Sequence, residues 1–285
     1  MQQTTTVTVN QLTFDCLIEG DKKNELVVLL HGFPESSYMW RDLMKVLANN
    51  GFYCVAPNLR GYSKNACPKG KKHYTLTKLV SDVVGIAKHF STAKFHLIGH
   101  DWGAAIGWKV AHDYKDFIIS WTALSVPHIQ AFCFAIFNDA EQQQKSQYIK
   151  NFQLPFLPEL KIRKNNFALF KKLWVHSDAD EVANYLSIFK NKKQLTAAIS
   201  YYRSNYALFK KATTSNILGT ITVPTLFIWG KKDMAIGSYA VEEGHEYVKG
   251  YYEFIALDDG HWLIQTAYKK IEAAILHHLH KFKTS

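Results

Sequence analysis

The chain has 285 residues, of which 47% are hydrophobic and 14% aromatic, and its formal net charge is +10. This length and apolar content are enough to bury a sizeable core, as one large domain or as a domain with an insertion. No apolar run approaches the ~18–20 residues of a membrane span, and the N-terminal segment lacks the charged start and apolar stretch of a secretory signal. We therefore predict a cytoplasmic protein without a membrane span.

Strands and helices alternate through the first half of the chain. Residues 5–18 predict a hairpin that turns at Asn10, because Thr, Val and Phe alternate there with polar residues. The apolar run 25–33 predicts a buried parallel strand. This alternation implies right-handed crossovers and a parallel sheet that is covered on both faces. The further predicted elements are a helix over 36–51, a strand from 52, a helix over 75–90, a strand over 94–100, a helix over 102–114 and a strand over 117–126.

The alternation stops after Val126. From about Pro127 to Leu218 the apolar residues recur at helical spacing, without a convincing strand. We predict that residues 127–218 form a helical cap, inserted into a core domain of residues 1–126 and 219–285. The sheet pattern resumes after the insertion with strands over 222–230 and 251–257 and helices over 239–248 and 265–282.

The positive charge and the cysteines do not single out a function. Lysines cluster at 69–72, 161–164 and 190–193 without a nucleic-acid motif, which favours solvated surfaces over a nucleic-acid or anionic-membrane partner. The four cysteines are scattered and form no CxxC pair, which favours free thiols over a disulfide framework or a zinc site. They are Cys16, Cys54, Cys67 and Cys133.

The stretch GHDWG, residues 99–103, joins a predicted strand to a predicted helix. Its two glycines suit a sharp turn that pushes the central side chain clear of the sheet. Asp101 would then lie at a helix N-terminus, where the helix dipole and free N–H groups favour an anion. A simple helix cap is the alternative, but the flanking strand and small-residue helix favour a nucleophile.

A carboxylate nucleophile needs a base and a group that orients this base. In this turn architecture the acid and then the histidine follow the nucleophile in sequence. Asp233 and His261 each come just after a late predicted strand, where open α/β sheets place their ligands. Asp258 and Asp259 compete for the orienting role, but chain order and strand-end position favour Asp233.

The motif HGFP, residues 31–34, closes the third predicted strand. A glycine turn at this point can offer the N–H of Phe33, which would face that of Trp102 and form an oxyanion hole. An ordinary turn is the alternative unless the other motifs converge on the same site. His31 and His100 also end strands, and we interpret them as residues that pack beside or support these donors.

Five motifs follow one another over nearly the whole chain: HGFPESSYMWRDL, RGYS, GHDWGAAIGW, PTLFIWGKKD and GHW. In this order they resemble the α/β-hydrolases of the epoxide hydrolase and haloalkane dehalogenase branch. The resemblance implies the α/β-hydrolase fold, an eight-stranded and mostly parallel sheet flanked by helices with a helical cap after the sixth strand. It also implies a site without cofactor or metal, made of the triad Asp101, Asp233 and His261 and the backbone donors Phe33 and Trp102.

The leaving group separates the two enzymes of this branch. A carboxylate that attacks a saturated carbon forms an alkyl-enzyme ester, so we expect a substrate with an electrophilic sp³ carbon. Halide leaves with the help of N–H donors alone, whereas an epoxide oxygen leaves as an alkoxide and needs a proton donor. SQYIKNFQLPFLPEL and ISYYRSNY resemble the two cap motifs of epoxide hydrolases. This resemblance implies Tyr148 and Tyr202 as proton donors, with Tyr201 and Tyr206 as competitors.

We therefore predict an epoxide hydrolase that converts small hydrophobic epoxides to vicinal diols, as a monomer or homodimer without a nucleic-acid partner. Phe33 stands where many dehalogenases have a halide-binding Asn or Glu, and the Asp-Arg-x-x-Arg motif of fluoroacetate dehalogenases is absent. Trp102 is shared by both branches and decides nothing. The substrate-contacting residues are predicted to be Phe33, Trp102, Tyr148 and Tyr202. A haloalkane dehalogenase, a non-catalytic small-molecule receptor and, as a weaker third, partner binding through the basic cap are the alternatives.

Overall fold

The computed structural model describes residues 3–91, 93–216 and 218–284. Its strands are β1 (Gln3–Val9), β2 (Leu12–Glu19), β3 (Glu25–Leu30), β4 (Phe52–Pro57), β5 (Phe95–His100), β6 (Ile118–Leu124), β7 (Thr225–Gly230) and β8 (Tyr252–Leu257). Within the described residues these strands form one eight-stranded sheet in the order β1-β2-β4-β3-β5-β6-β7-β8. The β1–β2 hairpin and the β2–β4 pair are antiparallel, and the other pairs are parallel. The predicted hairpin and mostly parallel sheet are confirmed.

The central strands are buried along their whole length. Every residue of β4, β5 and β7 is buried, although successive side chains of a strand point to opposite faces of the sheet. Both faces are therefore covered, as the continuous apolar runs predicted. The helices that accompany the sheet are α1 (Arg41–Asn49), α2 (Leu76–Phe90) and α3 (Trp102–Asp113) before β6, and α10 (Ser238–Gly244), α11 (Leu263–Thr266) and α12 (Tyr268–Lys281) after β7.

The chain between β6 and β7 is helical. It consists of α4 (Ile129–Asn138), α5 (Ala140–Lys145), α6 (Gln147–Asn151), α7 (Leu157–Leu173), α8 (Ala179–Phe189) and α9 (Lys192–Ala212). α7 is broken at 164–167, where the backbone leaves the helical region. The helical character predicted from the apolar spacing is present, and the division into a core domain and a cap at residues 127–218 stays a prediction.

Buried hydrogen bonds join α9 to the loops that follow the sheet strands. Asn205 accepts the backbone N–H of Leu76 at 2.7 Å, at the start of α2. Tyr201 donates its hydroxyl to the backbone oxygen of Arg60 at 2.6 Å. An unsatisfied buried polar group costs about 1–3 kcal/mol, so these bonds fix how α9 is rotated about its own axis. The rotation in turn sets the direction of Tyr202, which follows Tyr201 in the chain.

None of the described helices is long and apolar enough to cross a membrane. The four cysteines are free thiols, and Cys16, Cys54 and Cys133 are buried. In the part of the chain that the structure covers, no group of three or more His, Cys, Asp and Glu side chains is arranged to hold a metal ion.

Candidate active site

Asp101 lies at the tight turn between β5 and α3. Its backbone has φ 51° and ψ −117°, a left-handed conformation that residues other than glycine rarely adopt. The turn is packed closely against the sheet, since a Cβ added to Gly103 would lie 2.1 Å from the backbone oxygen of Leu30. A Cβ added to Gly99 would lie 2.5 Å from the backbone oxygen of Gly103. Both glycines are therefore required by the close backbone approach that presents the Asp101 carboxylate at the carboxyl edge of the sheet.

Asp101, His261 and Asp233 converge from the ends of three strands. Nε2 of His261 lies 3.5 Å from Oδ2 of Asp101, and Nδ1 of His261 lies 2.7 Å from Oδ2 of Asp233. The second oxygen of Asp233, Oδ1, accepts the backbone N–H groups of Ala235 and Ile236 at 2.7 and 3.0 Å. Asp233 is thereby fixed from both sides and holds the imidazole so that Nε2 faces Asp101.

The alternatives to Asp233 and His261 have other contacts. Asp258 is exposed and forms an ion pair with Lys232 at 2.9 Å. Asp259 accepts the N–H of Gly260 at 3.2 Å, without a bond to His261 among those of the described residues. Nε2 of His31 accepts the backbone N–H of Leu59 at 3.0 Å, so its ring holds a neighbouring loop.

The buried charges of the site shift each other's pKa. Burial opposes a charged imidazole, but the charge of Asp233 and the hydrogen bonds with Asp101 and Asp233 outweigh burial and raise the pKa of His261 to about 10. Burial likewise opposes a charged carboxylate at Asp101, yet the hydrogen bond and charge of His261 outweigh it and lower the pKa of Asp101. Near neutral pH the site therefore contains an ionised Asp101 next to a protonated His261.

The backbone N–H of Phe33 donates to Oδ1 of Asp101 at 2.7 Å. The approach depends on Gly32, because a Cβ there would lie 2.3 Å from the Cβ of Asp101. Trp102 is the first residue of α3, and the first N–H groups of a helix have no partner inside it. With Oδ1 held by Phe33, the second carboxylate oxygen, Oδ2, is left on the side of His261.

Tyr148 on α6 and Tyr202 on α9 line the same two cavities as Asp101. Their rings meet edge to face with centroids 5.7 Å apart, and Tyr202 also packs edge to face on Trp102 at 5.1 Å. Burial, together with the negative charge of Asp101, raises the pKa of both phenols well above the ordinary value. Both side chains therefore remain protonated O–H donors at neutral pH.

The competing tyrosines point elsewhere. The hydroxyl of Tyr201 is bonded to the backbone oxygen of Arg60 at 2.6 Å. Tyr206 packs on Phe137 with ring centroids 5.9 Å apart and lines neither of the two cavities that contain Asp101. Of the tyrosines considered from the sequence, Tyr148 and Tyr202 are the ones that the structure brings to Asp101.

The two cavities that meet at Asp101, Tyr148 and Tyr202 differ strongly in size. The outer one has a volume of about 250 Å³ and mostly apolar walls that include Phe152, Ile162, Phe170 and Leu173. The inner one has a volume of about 30 Å³ and apolar walls that include Val126, Ile129, Phe132 and Phe209. The site can thus hold an apolar molecule whose reacting group lies at the junction and whose bulk lies on the outer side.

A second group of buried polar residues supports the loop of His261. The backbone oxygen of His261 faces Nε2 of His100 at 3.0 Å and accepts the hydroxyl of Ser125 at 2.7 Å. Nδ1 of His100 in turn lies 3.2 Å from Oε2 of Glu35, and Gln265 donates to the other Glu35 oxygen at 2.8 Å. The sequence indicated a supporting role for His100 but not for Glu35 or Ser125. The available signal was the position of Glu35, directly after the HGFP motif.

Comparison with known proteins identifies the family. The family model described as alpha/beta hydrolase fold matches residues 25–267. The chain is 30% identical over 263 residues to AB hydrolase superfamily protein YfhM of Bacillus subtilis (strain 168), which covers 90% of this chain and 91% of that protein. It is also 30% identical over 266 residues to Epoxide hydrolase 4 of Homo sapiens, covering 89% of this chain and 72% of that protein. The chain belongs to the epoxide hydrolase family of α/β-hydrolases.

A solved member of the epoxide hydrolase family has the same architecture. The crystal structure of Bacillus megaterium epoxide hydrolase in complex with an inhibitor matches with a TM-score of 0.88 and 26% sequence identity, over 97% of this chain and 100% of that chain. The predicted family, fold and enzyme class are confirmed. The roles of the individual side chains stay predictions.

Replacing Asp101 with Asn tests the charge coupling in the site. The neutral amide removes one of the two carboxylates that stabilise the imidazolium, so we expect the pKa of His261 to fall from about 10 toward its ordinary value. NMR titration of the histidine ring signals measures this shift. The matched control is Asp258→Asn, which removes an exposed carboxylate and should leave the titration of His261 unchanged. An unchanged midpoint in Asp101→Asn would show that Asp101 does not set the charge of His261.

Proposed function

We propose that this member of the epoxide hydrolase family converts epoxides to vicinal diols through an ester formed on Asp101. The observation that carries the proposal is the position of the Asp101 carboxylate. It lies between an imidazole 3.5 Å away and a junction of two apolar cavities that Tyr148 and Tyr202 also line. A nucleophile, a base and two neutral acids thus meet at one point.

In the first step, Oδ2 of Asp101 attacks a ring carbon of the epoxide. The bond between this carbon and the ring oxygen breaks, and a new bond joins the carbon to Asp101 as an alkyl ester. The ring oxygen takes a proton from the hydroxyl of Tyr148 or Tyr202, whose high pKa keeps that proton in place until the alkoxide forms. The phenolate that results has a strongly basic oxygen, and the His261 imidazolium supplies the proton that neutralises it.

Formation of the ester turns His261 into a base. In the free protein the imidazole is held protonated, partly by the charge and hydrogen bond of Asp101. The ester is neutral, so esterification removes this contribution and lowers the pKa of His261. The imidazole, still oriented by Asp233, is then able to accept a proton from water through Nε2. Esterification of Asp101 therefore makes the neutral, proton-accepting form of the imidazole easier to reach.

Hydrolysis of the ester completes the cycle. Water loses a proton to His261 and its oxygen attacks Cγ of Asp101. The negative charge that develops on Oδ1 is stabilised by the N–H of Phe33, which already lies 2.7 Å from that atom, and by the N–H of Trp102. Collapse breaks the bond to the alkyl oxygen, which takes the proton from His261 and leaves as the diol. The proton left on the Asp101 carboxyl returns to His261 and restores the starting charges.

The covalent ester is tested with His261→Gln. This variant keeps the nucleophile but lacks the base, so we expect reaction with a terminal epoxide to stop at the ester. Mass spectrometry should show the peptide that contains Asp101 heavier by the mass of one epoxide. The control Asp101→Ala should form no adduct and show no turnover. Turnover by Asp101→Ala, or an adduct on a different residue, would contradict the mechanism.

Phenylalanine at positions 148 and 202 tests the identity of the leaving group. Because ring opening needs a proton at the oxygen, we expect Tyr148→Phe/Tyr202→Phe to slow epoxide opening by about 10²–10⁴-fold, the usual contribution of a positioned acid. Initial rates with a terminal epoxide measure the loss, with Tyr206→Phe as the control outside both cavities. Two results together would favour the dehalogenase alternative. The wild type would turn over no epoxide, and the double variant would still release halide from a bromoalkane.

The unequal cavities favour epoxides with one bulky apolar substituent. The inner cavity of about 30 Å³ has room for about two water-sized groups, whereas the outer one of about 250 Å³ has room for an aryl group. We expect kcat/KM for phenyl glycidyl ether to exceed that for trans-stilbene oxide by about 100-fold or more. Phe132→Ala, which enlarges the inner cavity, should narrow this ratio, and Phe137→Ala, outside both cavities, should not. Equal turnover of both substrates by the wild type would contradict the assignment.

A further inference from the structure

The turn between α6 and α7 exposes four large apolar side chains. Phe156 is 77% exposed, Leu160 65%, Leu157 59% and Leu154 47%, and together they are named here the α6–α7 cluster. Phe156 has φ 60°, a left-handed conformation that is uncommon for a bulky residue. Contiguous apolar exposure of this kind in a folded protein marks an interaction surface.

The segment that carries the α6–α7 cluster has an entirely basic surface charge. Its one carboxylate, Glu159, is bonded to Arg203 at 2.6 and 3.0 Å and is half-buried. Residues 127–218 contain thirteen Lys and Arg against six Asp and Glu, so this part of the chain accounts for +7 of the net +10. The exposed lysines between residues 147 and 172 are Lys150, Lys161, Lys164, Lys171 and Lys172.

The inner side of the same segment lines the outer cavity. Phe152, Ile162 and Phe170 form part of the cavity wall, and Tyr148 reaches the junction at Asp101. A single stretch of about 25 residues therefore carries both side chains that line the apolar cavity and exposed apolar and basic side chains.

We propose that the α6–α7 cluster docks on the surface of an anionic lipid bilayer. The four apolar side chains enter the boundary between headgroups and acyl chains, and the surrounding lysines contact lipid phosphates. The sequence alone favoured a solvated surface for the lysines at 161–164, and the exposed apolar side chains next to them change that interpretation. Docking of this kind adds a binding surface to the protein and does not depend on the reaction at Asp101.

The combination of positive charge and exposed apolar side chains favours an anionic bilayer over other partners of this surface. In a symmetric contact between two copies, the same patch faces itself, so the lysines of the two copies would repel each other. A nucleic acid would satisfy the lysines but offers no apolar phase for Phe156, Leu157 and Leu160. An anionic bilayer satisfies both the apolar and the basic part of the surface.

Vesicle sedimentation with the full chain tests the proposal. We expect binding to phosphatidylglycerol vesicles and much weaker binding to phosphatidylcholine vesicles. Phe156→Ser/Leu160→Ser should lower the partition coefficient by about ten-fold for each side chain removed from the lipid. Lys161→Glu/Lys164→Glu should weaken binding to phosphatidylglycerol vesicles and reduce its dependence on salt.

Two control variants carry the same chemical changes elsewhere on the protein. Phe254→Ser removes an exposed phenylalanine from β8. Lys22→Glu/Lys23→Glu reverses the charge of two exposed lysines that precede β3, at the amino ends of the parallel strands, whereas Asp101 lies at their carboxyl ends. Both should bind vesicles like the wild type. Thermal unfolding and turnover of a water-soluble epoxide check that every variant is folded, and we expect both to be unchanged from the wild type. Binding is read by sedimentation alone, so it can be scored even if no epoxide is turned over.

Three results would overturn the proposal. The first is a wild-type protein that does not sediment with phosphatidylglycerol vesicles. The second is vesicle binding by Phe156→Ser/Leu160→Ser that is as tight as that of the wild type, or vesicle binding by the control variants that is weakened as much as that of the test variants. The third is a dimer in analytical ultracentrifugation that dissociates in Phe156→Ser/Leu160→Ser while vesicles are not bound, because the α6–α7 cluster would then contact a second copy of the chain.

Discussion

The contact between the Asp101 carboxylate and the His261 imidazole is the interaction on which the rest of the site depends. Two ionised groups removed from water are stable only when their remaining polar atoms are also paired. The structure meets this condition for both groups. The N–H of Phe33 donates to Oδ1 of Asp101, and Nδ1 of His261 is paired with Oδ2 of Asp233. The strained backbone of Asp101 is tolerated because these contacts, and the close glycine packing around the turn, leave it no alternative position.

Burial has opposite consequences for the charged and the neutral groups of the site. At Asp101 and His261 it is outweighed by the opposite charge of the partner, so both remain ionised. At Tyr148 and Tyr202 the neighbouring charge is that of Asp101, which is negative and adds to burial, so both phenols remain neutral. The charge of Asp101 thus adds to that of Asp233 in keeping His261 protonated, and it adds to burial in keeping Tyr148 and Tyr202 protonated.

The sequence was informative wherever a local pattern carries the structure. Continuous apolar runs predicted the buried strands, and the order of motifs placed Asp233 and His261 at strand ends. Contacts between distant positions have no such pattern, which is why the support of His261 by Ser125 and by Glu35 through His100 was not predicted. Periodicity also cannot tell an exposed apolar residue from a buried one, so the helical spacing of residues 127–218 gave no indication that Phe156 lies in solvent.

Arg203 links the turn between α6 and α7 to α9, the helix that also carries Tyr202. Arg203 donates to the backbone oxygens of Phe152 and Leu154 at 2.8 and 2.7 Å and to the carboxylate of Glu159 at 2.6 Å. These bonds fix the turn that carries the exposed apolar side chains. The preceding residue on α9 is Tyr202, and adjacent helical residues point about 100° apart, so Arg203 is able to bind the turn while Tyr202 faces Asp101. The position of Tyr202 in the site and the shape of the turn between α6 and α7 are therefore set by the same turn of α9.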